Sequence, residues 1–558
     1  IRLSTYRSLM AFPNYGKNAL FDPNPYVVGF AESIPTCTSG LAIVDQRDVT
    51  ADCVRMIAPE LKNQNEVTQT ILEGNLVGDL VDMSAGPLQY ALGLSYRENS
   101  YNFSPDNLSD NQNFIDPIAG LFPNTVSFGE FDVAEVYGEL LIPIISDGPA
   151  GVEHFNVELG GRISDWSMPQ MPNLETYKAL VDWAITPRYR LRGGFNRAFR
   201  APNLGELFIA RTQVFGLGGT NYGDHCSQNL TNPASYSATA GGGADAAQIA
   251  QTLSICEALM GTSGAFEYYD NRPIDEQPQV GGLGIGNSLG NLNLREEKAD
   301  TWTLGAVMDF HDNFTLTVDW YEIEIEDMIA LSGGDTVYEL CLSQEFNPTG
   351  DPNHPNCSPI FRNPSSGGGA NIDLPFTNEG LATMSGVDLQ LNWGRPLAQG
   401  SFNMNVVANY NLEATTQDRV DVDPIDHAGY NSCGLQIQCQ RYDYRVFTTA
   451  GYSQGPWNIT LRHQYWPALD NGGCRTNPTG TGCLYNSDPA YDLFALSFRY
   501  SLDRYTFGLG IENLLDTDPP CTGGNPTASP FPTSCTRSGG SVFDPLGRQF
   551  YLSMNMEF

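Results

Sequence analysis

The chain has 558 residues and a net charge of −35, with 64 acidic against 29 basic side chains. That balance argues against nucleic acid or an anionic membrane surface as a partner, because either needs a basic patch. Mean hydropathy is −0.27, and the sequence holds no run of eighteen apolar residues, which excludes helical membrane spans but not a barrel whose strands alternate polar and apolar.

The chain opens at Ile1 without a Met and reads as a mature or truncated product. Residues 1–64 are expected to hold the tail of a strand (1–10) and then an external loop; residues 65–558 are expected to be barrel strands and their loops. In this second part the same alternation recurs. Leu88, Tyr90, Leu92, Leu94 and Tyr96 form one apolar face, and Phe155, Val157, Leu159 and Ile163 another. Trp302, Leu304, Ala306, Met308 and Phe310 follow, then Phe314, Leu316, Val318 and Trp320. The chain closes on Phe550, Leu552, Met554, Met556 and Phe558, a final strand ending in Phe as outer-membrane barrels do. A period of two means a strand with one greasy and one wet face. The pattern predicts fifteen strands, near 66–81, 87–101, 131–145, 152–167, 174–185, 188–199, 298–310, 313–327, 371–393, 400–412, 443–453, 456–466, 490–500, 505–514 and 547–558.

The connections sort into two kinds. Tight turns fall at Ser146–Gly151, Thr186-Pro187, His311–Asn313, Gly394–Gly400, Ser453–Pro456 and Ser501–Arg504. Long connections span 100–130, 200–297, 328–370, 413–442, 467–489 and 515–546, with Met168–Asn173 the one short member on that side. If the last strand runs inward, every long connection lies outside. The fold class is therefore all-β, a transmembrane antiparallel barrel with long external loops. Single-chain bacterial barrels have an even number of strands, so fifteen implies further strands before this chain.

The twelve cysteines fall in close sequential couples: Cys37/Cys53, Cys226/Cys256, Cys341/Cys357, Cys433/Cys439, Cys474/Cys483 and Cys521/Cys535. All sit in Gly/Pro/Asn-rich segments on the long-loop side. Loop-stapling disulfides in an oxidising compartment are the favoured reading. The rival is metal ligation, supported only by His225 beside Cys226 and His354 near Cys357; no C-x-x-C occurs.

Asp421, Asp423 and Asp426 are a weak Ca²⁺ candidate without the EF-hand pattern, more in keeping with a solvated loop. Asp245–Met260 is expected to be a short helix. Tyr222, Phe266, Tyr268, Tyr269 and Tyr485 are loop aromatics that can stack on a ligand, although packing within the loops is the blander reading. The six histidines assemble no nucleophile, base and orienting acid, so no enzyme and no cofactor is expected.

Two motifs name a resemblance. Residues 195–208 read FNRAFRAPNLGELF and residues 510–520 read GIENLLDTDPP. With the closing strand, the chain resembles the TonB-dependent outer-membrane receptors from about Asn65 to Phe558. The residues that carry the likeness are Arg197, Arg200, Pro202, Asn203, Leu204, Glu206, Leu207 and Phe208, with Asn513, Leu514, Asp516 and Pro519. Arg197 and Arg200 are expected to reach carboxylates near the lumen wall, as a strand terminator with a salt bridge more than as a substrate contact. The resemblance implies a twenty-two-stranded barrel, with a plug domain and seven strands preceding this chain. It implies import of a large scarce nutrient (siderophore-iron, cobalamin, oligosaccharide or peptide) across the bacterial outer membrane. The partners it implies are outer-membrane lipid, the plug, the TonB–ExbB–ExbD system and the nutrient. A non-transporting barrel whose loops bind another protein is the rival.

Overall fold

The computed structural model describes the chain except residues 1–5, 7–8, 12–16, 18, 21–35, 42–48, 59, 110–124, 150, 172, 215–223, 229–233, 240–243, 278–284, 369–370, 418, 420–421, 432–440, 473–486, 520–542, 544–545 and 558. Fifteen long strands make the wall: β1 (Gln64–Met83), β2 (Gly86–Ser104), β3 (Ser127–Ser146), β4 (His154–Trp166), β5 (Asn173–Thr186), β6 (Tyr189–Arg200), β7 (Glu297–His311), β8 (Phe314–Leu331), β9 (Asn371–Leu397), β10 (Gly400–Gln417), β11 (Tyr444–Gln454), β12 (Trp457–Trp466), β13 (Tyr491–Leu502), β14 (Tyr505–Glu512) and β15 (Gln549–Met556). Each pairs antiparallel with the next, from β1 to β15. Among the described ladders none joins β1 directly to β15, and both strands are exposed along nearly their whole length.

The tight turns close because a few residues accept positive φ. Asp147 (53°), Ala398 (53°), Gly455 (55°) and Asp503 (46°) each sit in one of them. Such geometry is easy for Gly and tolerable for Asp, and at Ala398, Gly455 and Asp503 it reverses the chain in two residues.

Register fixes the faces. Phe195 lies opposite Trp302 and Leu191 opposite Ala306, so these residues share one side of the wall. Phe314 lies opposite Trp393 and Leu316 opposite Leu391 on that same side. Two aromatic girdles bound this apolar face. The upper one includes Tyr177, Phe195 and Trp302, with ring centroids 5.9 and 4.5 Å apart. The lower one includes Tyr189, Phe310 and Phe314 at 6.4 and 5.5 Å, and Trp457 with Phe498 and Tyr500 at 4.9 and 4.2 Å. Amphipathic rings belong at a lipid–water boundary, so the face between the girdles is the lipid-facing one.

Above the upper girdle the polarity of the strands inverts. On β8, Trp320 is followed on the outer side by Glu322, Glu324 and Glu326, while Ile323 and Ile325 now point inward. On β3, Glu130 and Asp132 stand outside, and Phe131 and Val133 are buried inside. Phe131 joins Leu207, Leu294 and Ile329 in a rim core. On β8 the period of two holds as far as Glu326, before a bulge at Asp327, but its meaning reverses above Trp320.

The described positions of the first ten residues depart from expectation. Tyr6 and Leu9–Ala11 are helical rather than the tail of a strand. Leu9 is fully buried against Cys37, Leu41 and Cys53, with Tyr6 and Met10 packed around it. Cys53 lies in helix α1 (Ala51–Ile57), and its disulfide to Cys37 closes this small knot. A local apolar cluster on a disulfide overrides the weak strand pattern.

Candidate functional site

One end of the wall carries a rim and a cap. The rim begins where β6 stops. Pro202 cannot donate to a ladder, and Asn203 caps the short helix α2 (Leu204–Phe208). Glu206 N donates to Asn203 Oδ1 at 2.9 Å, and Asn203 N donates to Glu206 Oε2 at 2.7 Å, a reciprocal capping box. Arg200 donates to Glu206 at 3.0 Å and to Glu297 of β7 at 2.5 Å. Glu297 also accepts from Ile329 N at 2.7 Å, which ties β8 into the same knot. Leu207 is buried, and Leu204 and Phe208 pack beside it.

Arg200 therefore meets its carboxylates on the lumen side. Arg197 does not. It lies on the outer face, paired with Asp300 at 2.7 Å and set over the Tyr177 ring at 5.7 Å. The two arginines are three residues apart on a strand, and an odd offset sends them to opposite faces. The second motif is a turn lock. Asn513 (φ 48°) bridges Thr517 through both its amide atoms at 2.9 and 2.8 Å. Leu514 N donates to Phe494 O at 2.7 Å, and Asp516 accepts from Arg548 N at 2.9 Å at the start of β15. Pro519 follows in the loop.

The cap is made by connections 201–296 and 332–370. Helix α3 (Ala246–Ala265) is capped by Asp245, which accepts from Gln248 N at 2.8 Å. It runs past the expected Met260, with a kink at Gly261 (φ 69°). Helix α4 (Gly334–Leu342) packs beside it. Cys226–Cys256 and Cys341–Cys357 are both disulfides, and both lie in one buried cluster with Tyr236, Ile255, Met260, Tyr268, Val337, Tyr338 and Leu342. Cys433, Cys439, Cys474, Cys483, Cys521 and Cys535 lie outside the described residues.

At the centre of this cluster is an ion pair that crosses the two connections. Arg362, whose side chain is 0% exposed, donates to both oxygens of Asp224 at 2.8 and 2.9 Å. Tyr268 Oη donates to Asp224 at 2.7 Å, and Arg362 donates to Tyr338 Oη at 3.1 Å and to Gly367 O at 2.9 Å. Burial pushes the Asp224 carboxyl up, but the Arg362 charge and the hydrogen bonds from Arg362 and Tyr268 hold it below the ordinary range. Burial pushes the Tyr338 hydroxyl up to about 12. A second crossing pair sits beside it. His225 meets Asp335 at 2.8 Å, with the imidazole between Tyr236 and Tyr338 at 5.0 and 4.9 Å.

The cap is also stitched to the wall. The segment Ile285–Leu289 pairs in parallel with the first residues of β9, from Asn371 to Pro375, and Ile360–Phe361 pairs antiparallel with Asn371 and Ile372. Arg211 donates to Asp373 at 2.6 Å. β9 thus serves both regions, its upper end in the cap and its lower part in the barrel.

The other expected positions divide as follows. Tyr268 is fully buried and Tyr269 donates to Cys226 O at 2.9 Å, so both serve the cap core; Phe266 is 58% exposed. Tyr222 and Tyr485 lie outside the described residues, as do Asp421 and Phe558. Asp426 accepts from Ala414 N and Ala428 N at 3.1 and 3.0 Å, which commits it to its own turn, and Asp423 is exposed. Among the described residues no group of three His, Cys, Asp or Glu side chains is arranged for a metal ion. Asp224, Arg362 and Tyr338 escaped the sequence reading because they come together from three remote points of the chain.

A family model described as TonB dependent receptor-like, beta-barrel matches residues 46–514. The chain belongs to the TonB-dependent receptor family. Its wall is that family's transmembrane antiparallel barrel of the twenty-two-strand type, with about fifteen strands in this chain. Among solved structures it is similar to a mutant of the ferric enterobactin receptor PfeA from Pseudomonas aeruginosa in complex with enterobactin. The TM-score is 0.53 at 14% identity, over 88% of this chain and 55% of that one. It is also similar to the siderophore receptor PirA from Acinetobacter baumannii, with a TM-score of 0.50 at 14% identity, over 89% of this chain and 55% of that one. The receptor chain described here spans about half the length of these structures. No curated protein sequence matches it.

Proposed function

We propose that this receptor is the barrel portion of an importer that moves an iron-bearing siderophore across the bacterial outer membrane, driven by TonB. One observation carries the reading: a family barrel wall bears a disulfide-braced cap at one mouth. A rigid cap over a polar lumen suits capture of a solute too large for an open pore. The likeness of fold to siderophore receptors supports that ligand class over cobalamin, oligosaccharide or peptide. The loops would face the exterior, the belt between the girdles would face outer-membrane lipid, and a plug in the remainder of the longer protein would engage TonB–ExbB–ExbD.

The test is uptake of radiolabelled ferric siderophores by iron-starved cells carrying the full-length gene, with and without TonB. Accumulation that requires both the gene and TonB is the expected result. Uptake that persists without either sinks the proposal.

A further inference from the structure

On the lumen side of the wall, directly under the rim, is a recess of about 490 Å³. Its charged lining is Arg97 of β2, Arg162 of β4, Arg200 of β6 and a single carboxylate, Glu135 of β3. Three of these are committed. Arg200 is held by Glu206 and Glu297. Arg162 lies 3.5 Å from Glu135 and over the Tyr137 ring at 4.6 Å, and Glu135 also accepts from Ser164 at 2.8 Å. Arg97 differs. No carboxylate lies within salt-bridge distance of it among the described residues, and its guanidinium sits 5.9 Å from the Trp166 ring centroid.

The nearby acids do not serve Arg97. Glu206 and Glu297 are 8% and 7% exposed and locked onto Arg200 and backbone amides. Glu98 and Asp132 leave their strands on the opposite face. What remains is a forked donor with its charge intact, beside the ring faces of Trp166 and Phe131, which pack together at 5.6 Å. A planar cation beside apolar surface matches a carboxylate or similar oxyanion on a small organic body. The lining runs up to Pro202 and Asn203 of the rim, so the recess opens where a solute from outside arrives first.

We propose that this recess is a binding site for the oxyanion group of an incoming small organic ligand, with Arg97 as its charged contact and Trp166 as its apolar wall. The word "incoming" rests on the import reading; the site itself does not. The experiment is calorimetric titration of the purified full-length receptor in detergent with citrate, a soluble tricarboxylate. Citrate is expected to bind saturably to the wild type. Arg97→Gln should weaken it by about tenfold or more, as loss of one charge-assisted contact does, and Arg97→Lys should fall between. Glu135→Gln, which frees Arg162, should tighten it, an outcome that general damage to the fold cannot produce. Equal affinity in wild type and Arg97→Gln overturns the proposal. So does a silent wild type, the result expected if an acidic side chain elsewhere in the longer protein already fills the recess. The titration needs no energy source, so the two readings fail separately. Uptake that proves independent of TonB leaves a positive titration standing. A flat titration leaves TonB-dependent uptake untouched.

Discussion

In the cap, Ile255, Met260 and Leu342 are each 0% exposed; in the wall, Leu304, Leu72 and Leu552 are 61%, 73% and 80% exposed. The cap is held as a soluble domain is held, by a dry core, two disulfides and a buried ion pair. The wall has no such core on its outer side. It is held by hydrogen-bonded ladders, and its outer face is the kind of apolar surface that a bilayer covers. One chain thus folds against two solvents, and a substitution should be felt in one region and not the other.

The largest effect is expected at the centre of the cap. Arg362→Met leaves Asp224 buried without its cation, at a cost of about 3–5 kcal/mol. Hydrogen exchange should accelerate through α3 and α4 and stay slow in β3–β6. Equal acceleration in both would show one cooperative unit and end the comparison. The same pair predicts a pH response. The Asp224 carboxyl is depressed in the folded state, so its contribution is complete above the unfolded value of about 3.9 and is lost as pH falls through the lower folded value. Acid titration of cap exchange should show that loss in the wild type and not in Arg362→Met.

Removing the Cys226–Cys256 disulfide by a double change to Ser should cost the cap about 3–4 kcal/mol, since it closes a loop of 30 residues. Limited proteolysis between 224 and 268 would register it, and barrel fragments should survive. Leu316→Arg tests the other region. It faces outward between the girdles, and burial of its charge in hydrocarbon should cost about 2–4 kcal/mol in urea unfolding from vesicles. Cap exchange should not change. The smallest effect is expected at the junction. Asn203→Ala removes the capping box of α2 and should cost about 1 kcal/mol, visible as faster exchange at Glu206 N.

Much of the wall was legible because a strand declares itself locally. Phe550, Leu552, Met554 and Met556 share a face whatever else the molecule does, and β7 begins and ends within a residue of its expected bounds. Three things were not legible. The inversion at Glu322 keeps the period and changes only the solvent, so alternation alone cannot locate it. Arg197 was expected at the lumen wall; counting from Phe195 puts it outside, but only once the register says which side is out. The cap core depends on pairs such as Asp224 and Arg362, 138 residues apart, and no local spacing encodes that distance. Tyr268 and Tyr269 read as loop aromatics for the same reason.

The inversion on β8 has a further consequence, in the vertical. From Trp302 to Phe310, at ~3.3 Å per residue and a tilt near 40°, the greasy span stands roughly 20 Å tall. By the same measure, the stretch from Trp320 to Leu331 rises roughly 28 Å above it. The upper two thirds of the strand, from Trp320 onward, is a stilt. It fixes how far the cap stands clear of the apolar belt, and so keeps the dry core of one region apart from the greasy outer face of the other.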